Sequence, residues 1–326
     1  MFFLGIDVAK VKVKLDACLY SQGINGKKKH KTFSNNPEGF AKLLQWLMQN
    51  QCTTDKTHIV MEATSVYHEN AAVVLHRAGC VVCIANPAKV RHFAQGLSII
   101  SKTDKADSEV LARFAALANP KPWQPPSEQA QHLSALLTRR DALVVDLQRE
   151  QNRLEKAQAT LTPQSVSDSI QASITFIQNA IYAIDQDVQA QIDQDPHMKH
   201  HKKLLLSIPA VGERTGTMML SLMQTHHFDR ADQMAAYLGL VPIQHQSGSS
   251  INGRSRLSKA GSSKIRKGLY MAAVVGIRYN PHIKALYDRL VLKGKSKMSA
   301  LCAAMRKLVH LCFGVVKTQT PYQATY

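Results

Sequence analysis

The stretch MFFLGIDVAKVKVKLDACL, residues 1–19, decides the fold. Its first seven residues form an apolar run that closes on Asp7, and VKVKLDACL (11–19) then alternates apolar with polar side chains. A short continuous apolar run reads as a buried strand, and alternation as a strand buried on one face. Two consecutive strands follow, the first carrying a carboxylate at its end. A carboxylate among apolar neighbours is costly unless something positive compensates it, so Asp7 is the first residue marked for chemistry.

Downstream, KTFSN (31–35) reads as a short third strand, and PEGFAKLLQWLMQ (37–49) as a helix with Asn36 as N-cap and Pro37 in its first turn. HIVMEA (58–63) reads as a fourth strand, YHENAAVVLHRAG (67–79) as a helix, VVCIAN (81–86) as a fifth strand and TDKADSEVLARFAALA (103–118) as a helix. The order βββαβαβα is not a simple doubly wound pattern. If the first and fourth strands pair in parallel, Glu62 comes beside Asp7. Asp104 and Asp107, three apart, share one helix face. Four such carboxylates suit a hard cation such as Mg²⁺, which takes oxygen ligands, and pairs of these ions cut phosphodiesters. The plain alternative is that four of 23 acidic residues fall near element ends by chance.

PKPWQPP (120–126) has the composition of a stiff linker. Residues 128–195 read as two long helices broken at Thr162-Pro163. Ile170, Ile174, Ile177, Ile181, Ile184 and Val188 form a heptad-like seam, and Leu133, Leu136, Leu137, Leu143, Leu147, Leu154 and Leu161 a matching stripe. Such a hairpin serves equally as an internal spacer or as a dimerisation arm.

The 326 residues are 45% hydrophobic, enough for more than one core. The net charge of +18 is uneven: 21 basic against 19 acidic residues up to 196, then 20 against 4. So basic a C-terminal block is the electrostatic footprint of a nucleic-acid partner. No apolar run is expected to reach the ~18 residues that span a bilayer, and Phe2–Ile6 does not read as a signal peptide, so a cytoplasmic protein is expected. Six scattered cysteines fit a reducing compartment. Cys80 and Cys83, three apart in a strand, point to opposite faces and read as buried thiols rather than zinc ligands.

In the basic block, LLLSIPAVGERTGTMMLSLMQ (204–224) reads as two apolar helices flanking the turn IPAVGE. A helix N-terminus at Gly212 can hold a phosphate through backbone N–H groups; an ordinary turn in a core is the alternative. QHQSGSSINGRSRLSKAGSSK (244–264) reads as a polar, flexible loop with Ser247, Ser249 and Ser250 near Arg254, Arg256, Lys259 and Lys264. Basic side chains neutralise phosphate, and a serine beside them can attack phosphorus, with His245 as a possible base; a solvated phosphate-contacting loop is the alternative. Three further helices are expected over 262–278, about 281–292 and 298–317.

GIDVAK (5–10), MEAT (61–64), NPAKV (86–90), KTDKAD (102–107), IPAVGE (208–213), YLGLVP (237–242) and SGSS (247–250) occur in the order found in one family. Over nearly its whole length the chain resembles the DEDD insertion-sequence transposases, which include the pilin-gene DNA invertases. The resemblance implies an α/β RNase H/RuvC-like domain over 1–126, a coiled-coil hairpin over 127–196 and a mostly helical transposase domain over 197–326. It implies that Asp7, Glu62, Asp104 and Asp107 bind one or two Mg²⁺ ions, and that Ser247, first serine of SGSS, is the nucleophile. Arg254, Arg256, Lys259, Lys264 and Gly212 would contact nucleic acid. The implied partners are donor and target DNA, a structured non-coding guide RNA, and a second or further copies in a dimer or tetramer, with no membrane. The chain departs from the family at Ala210, where glycine is usual, and at Ser108, where alanine is common. The rival readings are a hydrolytic junction nuclease in which Ser247 only binds phosphate, and a nucleic-acid-binding relic without chemistry.

Overall fold

The computed structural model describes residues 1–9, 14–21, 23, 25–63, 66–99, 103–247 and 251–324, with the backbone alone for 245–247 and 251–254. The chain divides into two compact units, Met1–Pro125 and Pro126–Tyr326.

The first unit is built on a mixed five-stranded sheet of β1 (Phe2–Ala9), β2 (Lys14–Tyr20), β3 (Lys28–Ser34), β4 (Thr57–Glu62) and β5 (Val81–Ala85), in the order β3-β2-β1-β4-β5. β1 to β3 form an antiparallel meander, while β4 and β5 add in parallel on the other side of β1. The expected parallel pairing of the first and fourth strands is present. β1 is therefore hydrogen-bonded on both edges, and alternation sends its side chains into two different layers. Leu4, Ile6 and Val8 enter one core with Phe40, Leu43 and Leu47 of α1 (Pro37–Gln49) and Ala71, Ala72 and Leu75 of α2 (Glu69–Arg77). Each fully buried Leu or Ile of that layer contributes about 1.5–3 kcal/mol. On the opposite face Val60 and Cys83 pack with Val90 of α3 (Pro87–Gly96) and with Val110, Leu111 and Phe114 of α4 (Asp104–Ala118).

The Asn36 side chain caps α1 by accepting from the Gly39 N–H at 2.9 Å, as its sequence predicts. The separate helix α3 was not expected; the Asn86 side chain accepts from the Ala88 N–H at 2.8 Å and so starts it directly after β5. Its signal was present in NPAKV, an N-cap followed by proline. Cys80 and Cys83 enter opposite cores as their spacing predicts, and burial pushes both thiols up to about 11. Within the proline-rich stretch, the Trp123 N–H donates to Val82 O at 2.7 Å, so this segment lies against β5.

The second unit opens with two 31-residue helices, α5 (Glu128–Gln158) and α6 (Gln164–Gln194). They pack on one another with Leu133, Leu143, Ile174 and Val188 buried, and Arg140 forms a two-pronged ion pair with Asp185 across them. Leu161 is not part of the stripe: it lies past the end of α5, fully exposed. Ala130, Leu133, Val188 and Ile192 join the core of α7 (Pro196–Leu206), α8 (Glu213–Thr225), α9 (Ala231–Tyr237), α10 (Ser263–Tyr279), α11 (Pro281–Leu292) and α12 (Lys297–Thr318). α12 corrects the expectation about apolar runs: with 22 residues it is long and apolar enough, by length and composition, to cross a membrane. Its apolar face is core, with Leu301, Met305, Leu308, Val309 and Cys312 buried. The segment expected to be a flexible loop is instead an antiparallel ribbon, β6 (Pro242–Ser247) paired with β7 (Ile251–Leu257). Its glycine- and serine-rich composition suggested a loop, but the backbone pairs as a ladder from Pro242–Leu257 to Ser247–Ile251.

Two glycine-related positions yield predictions. At Gly5 a Cβ would lie 2.0 Å from Ser108 O and 2.3 Å from Ala112 N, both backbone atoms of α4. No side-chain rotation relieves such an overlap, so Gly5→Ala is expected to lower unfolding stability by about 3 kcal/mol, read by denaturant melts. At Ala210 the backbone sits at φ 84°, a left-handed conformation that costs an L-residue roughly 1–2 kcal/mol. Ala210→Gly should raise stability by about 0.5–1 kcal/mol, since the relief of strain exceeds the added chain entropy.

Candidate active site

Strand pairing assembles the acidic cluster. Asp7 on β1 lies directly opposite Asp16 on β2. On the other edge Ile6 pairs with Met61 in parallel register, which brings the end of β4, Glu62, beside the end of β1. α4 covers the same face, because Gly5 lets its backbone touch the sheet two residues before Asp7. The Thr103 hydroxyl caps α4 by accepting from the Ala106 N–H at 3.1 Å, which fixes Asp104 and Asp107 in the first helical turn. Carboxylates there are favoured by the helix dipole. Farther along α4, Glu109 accepts from Tyr20 at 3.1 Å, Lys28 at 3.1 Å and Arg113 at 2.8 Å, tying the helix to β2 and β3.

Burial first, and then the charges of Asp107, Asp104, Glu62 and Asp16 in that order, together push the Asp7 carboxyl up to about 6. All four acids marked in the sequence thus share one electrostatic neighbourhood, with Asp16 as a fifth. Asp16 was missed. In the alternating strand it read as one more polar position, and its place opposite Asp7 appears only once the strands are in register. Its Oδ1 accepts from the Thr32 hydroxyl at 2.7 Å, and its Oδ2 lies 2.7 Å from Lys14 Nζ. The same ammonium lies 2.8 Å from Asp104 Oδ2, and these two carboxylates hold Lys14 well above the ordinary lysine range.

Among the described residues, no three His, Cys, Asp or Glu side chains are closed into a ligand set. The donor chemistry nonetheless suits a hard cation: the neighbours of Asp7 are all carboxylates, burial and then their charges make Asp7 resist ionisation, and an ammonium already bridges two members.

In the second unit, Ser247 is the last residue of β6, paired with Ile251 at the far end of the ribbon from its feet. Ser249 and Ser250 lie outside the described residues, as do the side chains of His245, Ser247 and Arg254. Arg254 and Arg256 are on β7; Arg256 and Lys259 are exposed. The feet are held firmly. The Ser258 N–H donates to Val241 O at 2.9 Å and the Lys259 N–H to Gly239 O at 3.2 Å. Gly239 has φ 71°, and a Cβ there would lie 2.6 Å from Ala260 N. Arg266 donates to the carbonyls of Leu238 and Gly261, bracing both strands' continuations.

Gly212 is the N-cap position of α8, with open space where a Cβ would stand. The turn before it is pinned by Asn280, which is fully buried, donates to Pro209 O at 3.2 Å, and accepts from the Ile283 N–H and the Tyr322 hydroxyl, each at 3.1 Å. Lys264, at the start of α10, lies 3.7 Å from Asp141, a partner its sequence did not suggest.

Comparison with known proteins gives the family. A transposase family model for DEDD enzymes of IS110 elements matches residues 4–163, and a second, described as the transposase IS116/IS110/IS902 family, matches residues 202–288. The chain is 32% identical over 322 residues to the pilin gene-inverting protein of Moraxella bovis, covering 98% of this chain and 97% of that protein. The pilin gene-inverting protein of Moraxella lacunata matches to the same extent. An insertion element IS110 protein of Streptomyces coelicolor is 26% identical over 160 residues, 49% of this chain and 38% of that one. With two models of one family on its two halves and end-to-end similarity to the pilin gene inverters, this chain belongs to the IS110 family of transposases and is a DNA recombinase.

Proposed function

We propose that this transposase cuts and rejoins DNA with two separate pieces of equipment, a cation-dependent carboxylate site in a RuvC-like first unit and the Ser247 hydroxyl in the second. The observation that supports this best is the cluster around Asp7, where five carboxylates gather on one face of the sheet and the central one is pushed up to about 6. A sheet with an antiparallel meander extended by parallel strands, β3-β2-β1-β4-β5, is the arrangement expected of an RNase H-like nuclease.

Asp7, Glu62, Asp104 and Asp107 would hold Mg²⁺, one ion or two. Bound there, the ion supplies Lewis-acid neutralisation of a phosphate and of an attacking or leaving oxygen. The Ser247 Oγ loses its proton and attacks phosphorus, forming an Oγ–P bond, while the P–O bond to one DNA strand breaks and that strand's oxygen takes up a proton. A hydroxyl from another strand then attacks the phosphoserine, reforming a phosphodiester and returning the serine. Bond energy is conserved, so no nucleotide triphosphate is consumed. Arg254, Arg256, Lys259 and Lys264 neutralise backbone phosphates, and the Gly212 helix start holds another. The ribbon's feet are braced by Gly239, Lys259 and Arg266, and Ser247 lies at its far end. Donor and target DNA, a structured guide RNA and a dimer or tetramer joined through the α5–α6 coiled-coil arm complete the cytoplasmic assembly.

Four outcomes test this. Incubation with donor DNA should give an SDS-resistant protein–DNA adduct that is absent from Ser247→Ala and retained by Ser249→Ala and Ser250→Ala; full strand exchange by Ser247→Ala would establish the hydrolytic reading instead. In metal-free buffer at pH 7, Asp7→Asn should raise stability by about 1 kcal/mol. The sign follows from a raised carboxylate: the cost of ionising it where it is buried among other acids is absent below the ordinary value of 3.8, builds up between 3.8 and about 6, and is present in full at pH 7. Mn²⁺ should then raise the melting temperature of the natural protein but not of Asp7→Asn. Duplex affinity should fall steeply with salt, and Arg256→Gln should reduce the log–log slope by about 0.9.

A further inference from the structure

Lys14 occupies a distinctive place. It stands on β2 two residues from Asp16, so the two share one face of the sheet. Its Nζ sits 2.7 Å from Asp16 Oδ2 and 2.8 Å from Asp104 Oδ2, bridging a strand and a helix. The two carboxylates are unequal. Asp16 is only 13% exposed, and its other oxygen is fixed by Thr32, itself on the neighbouring strand. Asp104 is 53% exposed and stands on the first turn of α4. Asp16 is therefore a fixed anchor for the ammonium, and Asp104 the ligand that a stronger cation can draw away. A single positive charge at hydrogen-bond distance from a carboxylate also repels any second cation that approaches the same oxygen.

We propose that Lys14 is a tethered counter-ion of the carboxylate cluster. It holds Asp104 in place while no divalent ion is bound, competes with that ion for Asp104, and is left on Asp16 when the ion enters. The inference rests on the metal-site reading of the cluster and adds two residues to it: Lys14 sets how tightly the ion binds, and Asp16 positions Lys14. Neither residue touches the reacting phosphate in this account. A site built this way stays assembled without its ion, at the expense of affinity for it.

The test is a Mn²⁺ titration of the purified full-length chain, with free ion read from its electron paramagnetic resonance signal, so that no catalytic assay enters. Lys14→Met should bind Mn²⁺ about tenfold more tightly than the natural protein, because the competing charge is gone, and Lys14→Arg should bind like the natural protein. Asp7→Asn should lose the site. Unchanged or weaker binding by Lys14→Met, with binding still lost in Asp7→Asn, would overturn the role of Lys14 and leave the metal site standing. Binding that survives in Asp7→Asn would overturn both. Should Lys14→Met melt early in chelator, Lys14→Gln, which keeps a polar contact to Asp16, is titrated in its place with the same expectation.

Discussion

The close approach of α4 to β1 is the contact on which the first unit depends. Helix and sheet backbones normally stand apart by the length of two side chains. At Gly5 there is none, and the backbone of Ser108 and Ala112 fills the space a Cβ would take. Ser108 is fully buried at this point, its hydroxyl turned back onto the Lys105 carbonyl at 3.0 Å, so its polar group is accommodated within the helix itself. Because the contact falls one residue after Asp107 and two before Asp7, it sets the spacing of the acids. The tether of Glu109 to Tyr20, Lys28 and Arg113 then keeps the helix from rotating.

The cluster so formed is unfavourable on its own. Five carboxylates close to one another are tolerated because strand pairing and helix packing, supported by the Leu4, Ile6 and Val8 layer on the far face, contribute far more than their repulsion removes. Functional sites commonly hold strain of this kind, supported by a well-packed surround. Lys14 relieves part of it locally, at Asp16 and Asp104.

The second unit handles a different requirement. Its helices share one core, and the ribbon stands on that core with Leu257 of β7 packed against it. The ribbon's stability comes from its feet, where Gly239, Lys259 and the Arg266 guanidinium lock the two strands to the end of α9 and the start of α10. The turn at Ile208–Gly212 is likewise fixed from outside, by the buried Asn280, which lets Ala210 keep a conformation that alanine resists.

Local chemistry made much of this visible in the chain. The cap at Asn36, the heptad spacing of Ile174 and Val188, the acid-bearing ends of two strands and the concentration of basic residues after 196 are all properties of short windows, and short windows determine helices, strands and charge. What local pattern could not supply was partnership. Asp16 and Lys14 look like ordinary polar positions of an alternating strand, and only the register against β1 and the seating of α4 make them neighbours of Asp7 and Asp104. The serine-rich segment reads as a loop because its composition is that of one, while its ladder is created by pairing across the ribbon. α12 is apolar enough for a membrane, yet the apolar face is spent inside a core that no single helix reveals. Sequence thus determined the elements and the acids that carry the chemistry, and tertiary structure decided which charges meet, because electrostatic neighbourhood depends on distance in space and not on separation along the chain.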